Sequence, residues 1–415
     1  MDIKPGTDTG RLVVSVTSSQ RLIPINNAKV TISYTNDPVK PIEELVTNDI
    51  GKTEAVDLKT PPIEYSLEPE PPEQPYSNYT VHVEAEGYEP ITIDGSELLS
   101  GQEAIQSISM VPAAAGKGPE VFPIAPHTLY YEYPPKIAES LIKPVSETGE
   151  IVLSRVVIPE YVVVHNGVPS DTSAKNYYVR YADYIKNVVS SEIYATWPKD
   201  AIRANILAIM SFTLNRVYTE WYRNKGYNFT ITSSTAYDQK WIPERNTYRS
   251  IDVLVDELFN SFLSKPSVTQ PIFTWYCDGK RVTCENGMSQ WGTKYLAEEG
   301  YIPIEILRYY YGSSLYINTA DEISGVPASW PGYNLKVGSS GSKVATIQEQ
   351  LNRIAQVYTL IPKLAVDGKY GPLTEKSVKT FQSIFNMPQT GIVDYPTWYR
   401  ISNIFVGITR MAEPF

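Results

Sequence analysis

Two stretches rich in proline and glycine divide this chain of 415 residues, and no other feature limits its fold as much. The first covers residues 113–150 and the second covers residues 325–333. Such composition suits extended connectors rather than a packed core. A chain of this length also exceeds one ordinary core, so two or three domains are expected. We therefore predict four segments: residues 1–112, the connector 113–150, residues 151–324 and residues 325–415.

The first segment alternates between apolar and polar residues, as strands with one buried face do. The alternation is clear at residues 11–16, 29–34, 79–85 and 107–110. This pattern predicts a small β-sandwich with the Pro- and Glu-rich insert 61–75 as an exposed loop. The segment resembles the regulatory-like sandwiches appended to many secreted enzymes, and its sequence shows no catalytic constellation.

Charge is spread unevenly along the chain. Residues 1–150 carry 10 Lys and Arg against 23 Asp and Glu, whereas residues 332–415 carry 9 against 5. Nucleic acid calls for a concentrated basic surface, so we expect no nucleic-acid partner. The mildly basic end suits an anionic polymer such as a cell wall, although chance imbalance on a solvated surface gives the same pattern. Neither a membrane-spanning run nor an export signal at residues 1–6 is recognisable, so no membrane partner is expected.

The segment that carries chemistry is a helical pattern that ends in an acid. Apolar residues recur at the spacing of one helix face from Tyr181 to Val189, and Glu192 continues that face. A carboxyl group in apolar surroundings keeps its proton to higher pH, as the general acid of a glycosidase must. An exposed helix end or an ion-pair partner would fit the same periodicity. After Trp197 and Pro198 break the chain, the pattern predicts a second helix over residues 199–222.

Three ordered blocks resemble the SpoIID-type lytic transglycosylases. In residues 184–205 a Val-rich helix, the acid and Trp-Pro follow one another as in that family's signature. Residues 234–239 read Ser-Thr-Ala-Tyr-Asp-Gln, and residues 286–292 read Asn-Gly-Met-Ser-Gln-Trp-Gly, followed by a Tyr-rich close at 304–312. Three blocks in order are far more specific than one motif. The resemblance implies a peptidoglycan lyase with Glu192 as its catalytic residue.

Five further residues are candidates for orienting the sugar, with the tryptophan as a possible stacking platform. They are Gln239, Tyr276, Ser289, Gln290 and Trp291. An ordinary place in the core or in a turn would explain each of them as well.

The two cysteines, Cys277 and Cys284, form one possible disulfide or stay as two free thiols. Some relatives of the SpoIID type bind zinc near this stretch through histidine and cysteine. Here the three histidines are His82, His127 and His165, none of them near the cysteines in sequence. Two thiolates without imidazoles make a poor zinc site, so we expect neither a metal nor another cofactor.

The last segment resembles the three-helix peptidoglycan-binding module of many wall hydrolases. A Gly-x-x-Gly-x-x-Val motif opens it at residues 338–344, Asp-Gly-Lys-Tyr-Gly-Pro follows at 367–372, and residues 390–398 close it. Helical spacing assigns most motif residues to core and turns rather than to ligand contact. The resemblance implies peptidoglycan glycan strands as the ligand.

The order of sandwich, connector, SpoIID-like domain and binding module is similar to that of SleC-type spore cortex-lytic enzymes. This implies an N-terminal β-sandwich, a central α+β catalytic domain and a C-terminal three-helix domain. It further implies a lytic transglycosylase in the cortex or coat region of spores, made as a zymogen and activated by a subtilisin-like protease at germination. We expect the sandwich and connector to occlude Glu192 through contacts weak enough to part after cleavage.

Three alternatives remain open. A muramidase-type hydrolase of the same fold would use a second acid, such as Asp238, to activate water. A phage-tail lysin would share the fold, and a non-catalytic wall-binding protein would grip glycan without cutting it.

Overall fold

The structure is a computed structural model that describes residues 8–19, 22–137, 155–266, 268, 270–320, 322–325 and 330–409. These residues form eighteen strands and eight α-helices. Among them, no helix combines the length and the apolar character that crossing a bilayer requires.

Two sheets with buried inner faces form the N-terminal part, as a β-sandwich requires. The first contains β4 (Val56–Thr60), β1 (Asp8–Ser18) and β7 (Glu103–Met110), in that order. The second contains β3 (Asp37–Val46), β2 (Lys29–Tyr34), β5 (Ser77–Glu84), β6 (Ile91–Leu98) and β8 (Glu120–Pro123). The strands expected at 11–16, 29–34, 79–85 and 107–110 are all present, in β1, β2, β5 and β7.

The alternation pattern did not reveal the other four strands. β3 contains two prolines and is mostly exposed at a sheet edge, where proline is tolerated. β8 lies inside the predicted connector and pairs in parallel with β6, so the connector begins as part of the sandwich. Residues 138–150 of the connector lie outside the described residues.

The central part is built from short strands and five helices. In chain order it contains β9 (Val157–Ile158), β10 (Tyr161–His165), β11 (Asn176–Arg180), α1 (Tyr181–Glu192), α2 (Lys199–Tyr218), β12 (Ile231–Thr232), β13 (Thr247–Tyr248), α3 (Arg249–Leu258), β14 (Ser261–Ser264), β15 (Tyr276–Cys277), β16 (Met288–Ser289), α4 (Gln290–Glu298), α5 (Pro303–Tyr311), β17 (Tyr316–Thr319) and β18 (Glu322–Ile323). Helix α2 lies at the centre of this part. Fourteen of its 20 residues are buried, so burial is not limited to one stripe along the helix. The helix predicted to reach Tyr222 ends at Tyr218, and Glu220 then adopts a φ of +46°.

Three helices form the C-terminal part: α6 (Ser342–Ile354), α7 (Pro372–Ile384) and α8 (Tyr395–Thr409). Two motif glutamines hold its turns rather than face outward. The Gln348 side-chain oxygen accepts a hydrogen bond from the Gly368 amide at 2.9 Å, and that of Gln382 accepts one from the Gly391 amide at 2.8 Å. Both glycines have a φ of +67°, which explains why the motif places glycine there.

The sandwich and the central part share an extensive interface. β13 of the central part pairs antiparallel with β7 and so extends the first sandwich sheet. Beside it, the Arg245 guanidinium forms an ion pair with Glu97 at 2.9 Å, and both side chains are buried. Arg245 also donates to the carbonyl of Ser190 in α1 at 2.8 Å. Our expectation of weak contacts is therefore wrong, since strand pairing and a buried ion pair hold these parts together.

Arg245→Met is expected to destabilise the chain by about 3–5 kcal/mol, because it leaves the Glu97 carboxylate buried without its cation. Urea unfolding followed by circular dichroism measures the change. Arg203→Met is the matched control, since Arg203 pairs with Glu257 at 2.9 Å on a partly exposed surface. Exposed pairs contribute at most about 1 kcal/mol. Equal losses in the two variants would contradict the importance of the buried pair.

Candidate active site

Glu192 is the last residue of α1, and its side chain is completely buried. The helix directs it inward because Ile185, Val188 and Val189 pack into the core on the predicted face. One carboxylate oxygen accepts a hydrogen bond from the Lys240 backbone amide at 2.7 Å. The other accepts from the Gln290 side-chain amide at 3.3 Å.

Burial raises the pKa of Glu192 above its ordinary value. The positive charge of Lys136 opposes this shift, as do the hydrogen bonds from the Lys240 amide and the Gln290 side chain. The raised pKa agrees with the expectation from the apolar stripe. A carboxyl group of this kind can arrive protonated at a glycosidic oxygen.

Two of the five sugar-binding candidates meet Glu192. Gln290 donates to its carboxylate, and Tyr276 is close enough for the Glu192 charge to raise the pKa of the phenol further than burial alone. The side-chain oxygen of Gln290 is buried without a hydrogen-bond partner among the described residues. A buried polar atom without a hydrogen bond costs about 1–3 kcal/mol of stability. A ligand hydroxyl that donates to this oxygen would remove that cost.

Gln239 lies in the core instead. Its side-chain oxygen accepts hydrogen bonds from Tyr184 at 3.0 Å and Thr213 at 2.8 Å, and its amide donates to the carbonyl of Ile209 at 3.0 Å. These bonds tie α1 to α2. The geometry favours a structural role for Gln239 rather than sugar binding.

Ser289 and Trp291 also have structural places. The Ser289 hydroxyl caps α4 by accepting from the Gly292 amide at 2.9 Å. Trp291 is completely buried and packs on Trp197 with ring centroids 4.7 Å apart. A buried indole offers no face to a sugar in this structure, so the prediction of a stacking platform at Trp291 is not supported.

Cys277 and Cys284 form a disulfide that closes a short loop next to Tyr276. The Asp278 carboxylate organises this loop by accepting hydrogen bonds from the backbone amides of Arg281 at 2.9 Å and Val282 at 3.0 Å. Across the described ranges, no group of three His, Cys, Asp or Glu side chains could hold a metal ion.

Asp238, the second acid of the hydrolase alternative, is bound on all sides. Its carboxylate accepts hydrogen bonds from the Arg216 guanidinium at 2.7 Å, the Tyr222 hydroxyl at 2.6 Å and the Thr232 hydroxyl at 2.7 Å. The Thr232 backbone amide adds a fourth bond at 3.0 Å. A carboxylate engaged in this way is poorly placed to activate a water molecule.

Residues 127–137, which we call the strap, cross the site from the connector. The strap is attached to α1 by the Thr128 hydroxyl, which donates to the Ser191 carbonyl at 3.0 Å. Arg281 of the disulfide loop donates to the carbonyls of Leu129 at 2.7 Å and Tyr130 at 2.6 Å.

The far end of the strap lies beside Glu192. Tyr133 is buried there, and the Glu192 charge contributes to raising its pKa. The Lys136 ammonium donates to the Asp238 carbonyl at 2.9 Å, and the Ile137 amide donates to the Ala236 carbonyl at 2.8 Å. The strap thus runs past the acid and is attached on both sides of it, although composition had predicted only an extended connector here.

The Pro- and Glu-rich insert of the sandwich also contacts the signature region. It forms a 3₁₀ helix at Ile63–Leu67 instead of the predicted exposed loop. Its buried Ser66 accepts a hydrogen bond from the Trp197 indole at 3.0 Å through the backbone carbonyl. The two hydroxyls of Ser66 and Thr196 are 2.8 Å apart. The insert is folded because these contacts give its buried polar groups hydrogen-bond partners.

Glu244 predicts a pH dependence of stability. Burial and the charge of Glu120 raise its pKa to about 7, against the opposing effect of Lys175. Because the unfolded chain ionises this acid at lower pH, stability is lost as pH rises from about 4.5 to about 7. We expect Glu244→Gln to recover about 2 kcal/mol at pH 7.5 and little at pH 4. Urea titrations at both values measure this; an equal gain from the exposed control Glu349→Gln would contradict it.

Comparison with known families identifies two parts of the chain. Residues 170–258 match the SpoIID family, described as Stage II sporulation protein, and this match includes Glu192. Residues 340–401 match a family described as putative peptidoglycan binding domain. Both matches fall inside predicted segments, whose limits remain predictions. No curated protein matches the chain significantly.

Solved structures show only partial likeness. The crystal structure of the SleB N-terminal domain is 25% identical, with 18% of this chain and 93% of that chain covered and a TM-score of 0.16. The Bacillus anthracis TIE protein is 15% identical over 25% of this chain and 17% of its own, with a TM-score of 0.18. A putative membrane-associated protein of unknown function from Bacteroides fragilis NCTC 9343 is 15% identical over 26% of this chain and 29% of its own, with a TM-score of 0.15. Scores this low define neither the fold nor the function.

The two family matches lie in separate parts of a multidomain chain, and together they support a role in acting on the bacterial cell wall. The match to the sporulation family covers residues 170–258 of the central part and associates this part with sporulation.

Proposed function

We propose that the chain is a lytic transglycosylase that cleaves the β-1,4 bond between MurNAc and GlcNAc in spore cortex peptidoglycan. The observation that carries the proposal is Glu192, a completely buried carboxyl group with a raised pKa inside the segment that matches the SpoIID family. Gln290 and Tyr276 surround it with polar groups that suit a sugar ring.

In the proposed reaction Glu192 first donates its proton to the glycosidic oxygen, and the bond from that oxygen to C1 of MurNAc breaks. The C6 hydroxyl of the same MurNAc attacks C1 and closes a 1,6-anhydro ring. Its proton passes to the Glu192 carboxylate, which is thereby ready for another cycle. No water is consumed, so one carboxyl group suffices. The full engagement of Asp238 supports this route over a hydrolase that needs a second acid.

The proposal includes storage as a zymogen. In this proposal the strap restricts access to Glu192 in the intact chain, and cleavage of the connector by a subtilisin-like protease cuts its tether at one end. The buried Arg245–Glu97 pair favours retention of the sandwich after cleavage, so the strap is the segment whose release matters. The C-terminal domain would hold the enzyme on glycan strands in the cortex or coat region.

The deciding experiment incubates intact and connector-cleaved protein with decoated spores and analyses released muropeptides by mass spectrometry. Anhydro-muropeptides from the cleaved form support the proposal. Reducing ends would favour the muramidase-type hydrolase, whereas wall binding without any release would favour a non-catalytic protein.

A further inference from the structure

A cleft of about 530 Å³ opens beside the strap, outside the buried Glu192 site. Trp275 and Phe273 form an aromatic wall, and Glu285 and Asn286 contribute polar groups. Such a volume is within the roughly 300–1,000 Å³ that small-molecule sites occupy. The family match at residues 170–258 does not reach these residues.

The cleft and Glu192 are neighbours separated by the strap. Tyr276 follows Trp275 directly in the chain and points to Glu192, whereas Trp275 lines the cleft. Lys136 of the strap stands between them, with its ammonium 5.2 Å from the Tyr276 ring and 5.7 Å from the Trp275 ring. Pro135 and Lys136 also line the cleft. Displacement of these two residues would join the cleft and the acid in one groove.

The chain holds Trp275 firmly while leaving its indole partly exposed. Its carbonyl accepts hydrogen bonds from the Met288 amide at 3.0 Å and the Tyr311 hydroxyl at 2.9 Å. Gly287 packs on the indole so closely that a Cβ there would lie 2.5 Å from its Cδ1. A rigid, half-open indole of this kind is a suitable platform for a sugar ring.

We propose that this cleft is a subsite for one N-acetylated pyranose of the glycan strand, next to the bond that Glu192 cleaves. The apolar face of the ring stacks on Trp275, and Glu285 and Asn286 meet its hydroxyl and acetamido groups. The assignment rests on the proposed function for its position in the groove. In this proposal Trp275, which is accessible, takes the stacking role that the sequence predicted for Trp291.

The kinetic test uses full-length chain cleaved in its connector, acting on soluble peptide-free glycan strands. Trp275→Ala is expected to raise KM about tenfold and to change kcat less than about twofold, since stacking acts on bound substrate throughout. Trp275→Phe keeps an aromatic face and should recover most of the affinity. Tyr309→Ala is the matched control, because Tyr309 is 67% exposed and does not line the cleft.

A second variant covers the case in which Trp275→Ala does not fold. Asn286 has a φ of +56°, so Asn286→Gly removes the side chain without backbone strain and should raise KM as well. Unchanged KM in folded Trp275→Ala, or in Asn286→Gly where the first does not fold, overturns the subsite while leaving anhydro product formation, and hence the proposed function, intact.

A binding test separates the subsite from catalysis. The cleft is open in the intact chain, so uncleaved Glu192→Gln protein should bind tetra-N-acetylchitotetraose in calorimetry. Adding Trp275→Ala to this protein should lower the number of binding sites by one. Binding of peptide-bearing fragments alone would overturn the assignment to a sugar. Should the cleaved chain form no anhydro product, the proposed function fails and this titration still decides the subsite.

Discussion

Glu192→Gln is expected to lower glycan cleavage by about 10²–10⁴-fold in the connector-cleaved enzyme, because an amide cannot supply the proton that the leaving oxygen needs. The fold should remain. The amide oxygen can still accept the Lys240 hydrogen bond. Its new N–H group can donate to the side-chain oxygen of Gln290 once the Gln290 amide turns over, because the Gln290 N–H group faces this position in the unaltered chain. Exchange of a buried acid of raised pKa for a neutral amide should leave the thermal midpoint unchanged or higher at neutral pH.

The rate is measured as anhydro-muropeptide release from decoated spores, beside thermal unfolding of each variant. Glu244→Gln is the matched control, since Glu244 is another acid whose pKa burial raises, yet no contact joins it to Glu192 in the described structure. It should retain cleavage. If Glu192→Gln kept most of its activity, Glu192 would not be the general acid.

The burial of Glu192 could be predicted from the sequence because the evidence for it is local, whereas its catalytic role stays a prediction. An apolar stripe over one helix determines which way the acid points, and α1 buries that stripe. Hydrogen-bond partners of Glu192 that come from distant segments could not be predicted from local sequence. Gln290 meets Glu192 across 98 residues, and only the resemblance to a family drew attention to it. The same motif suggested Trp291, but a motif does not say which of two buried neighbours reaches the acid and which packs among other aromatic rings.

The strap and the interface of the sandwich were harder to predict for a different physical reason. The proline and glycine content of the connector predicted an extended chain, but His127 and Tyr133 of this segment are buried. Asn246 and Glu97 bond across 149 residues, and nothing in either local sequence announces a docking face. Glu97 is one of the 23 acidic residues of the first 150, and composition alone does not distinguish this buried ion-pair partner from the others.

Cleavage of the connector is expected to raise the rate on decoated spores by roughly 100–1,000-fold over the intact chain. Glu192 is completely buried and the strap lies beside it, so under the zymogen proposal the intact chain acts only while the strap is open. Local openings that cost about 3–4 kcal/mol occupy roughly one part in 100–1,000 of the population. Cleavage removes the tether at one end of the strap and so weakens its return.

Arg281 allows the strap to be loosened without cleavage. Arg281→Ala removes the two hydrogen bonds to Leu129 and Tyr130, and should raise the activity of the intact chain about tenfold while changing that of the cleaved chain little. Arg203→Ala, which breaks a surface pair far from the strap in sequence, is the control and should change neither form. Intact and cleaved proteins are compared on the same spores, with integrity checked by gel. Equal rates for the two forms would overturn the zymogen proposal, and the strap would then be a structural element of an enzyme that opens by itself.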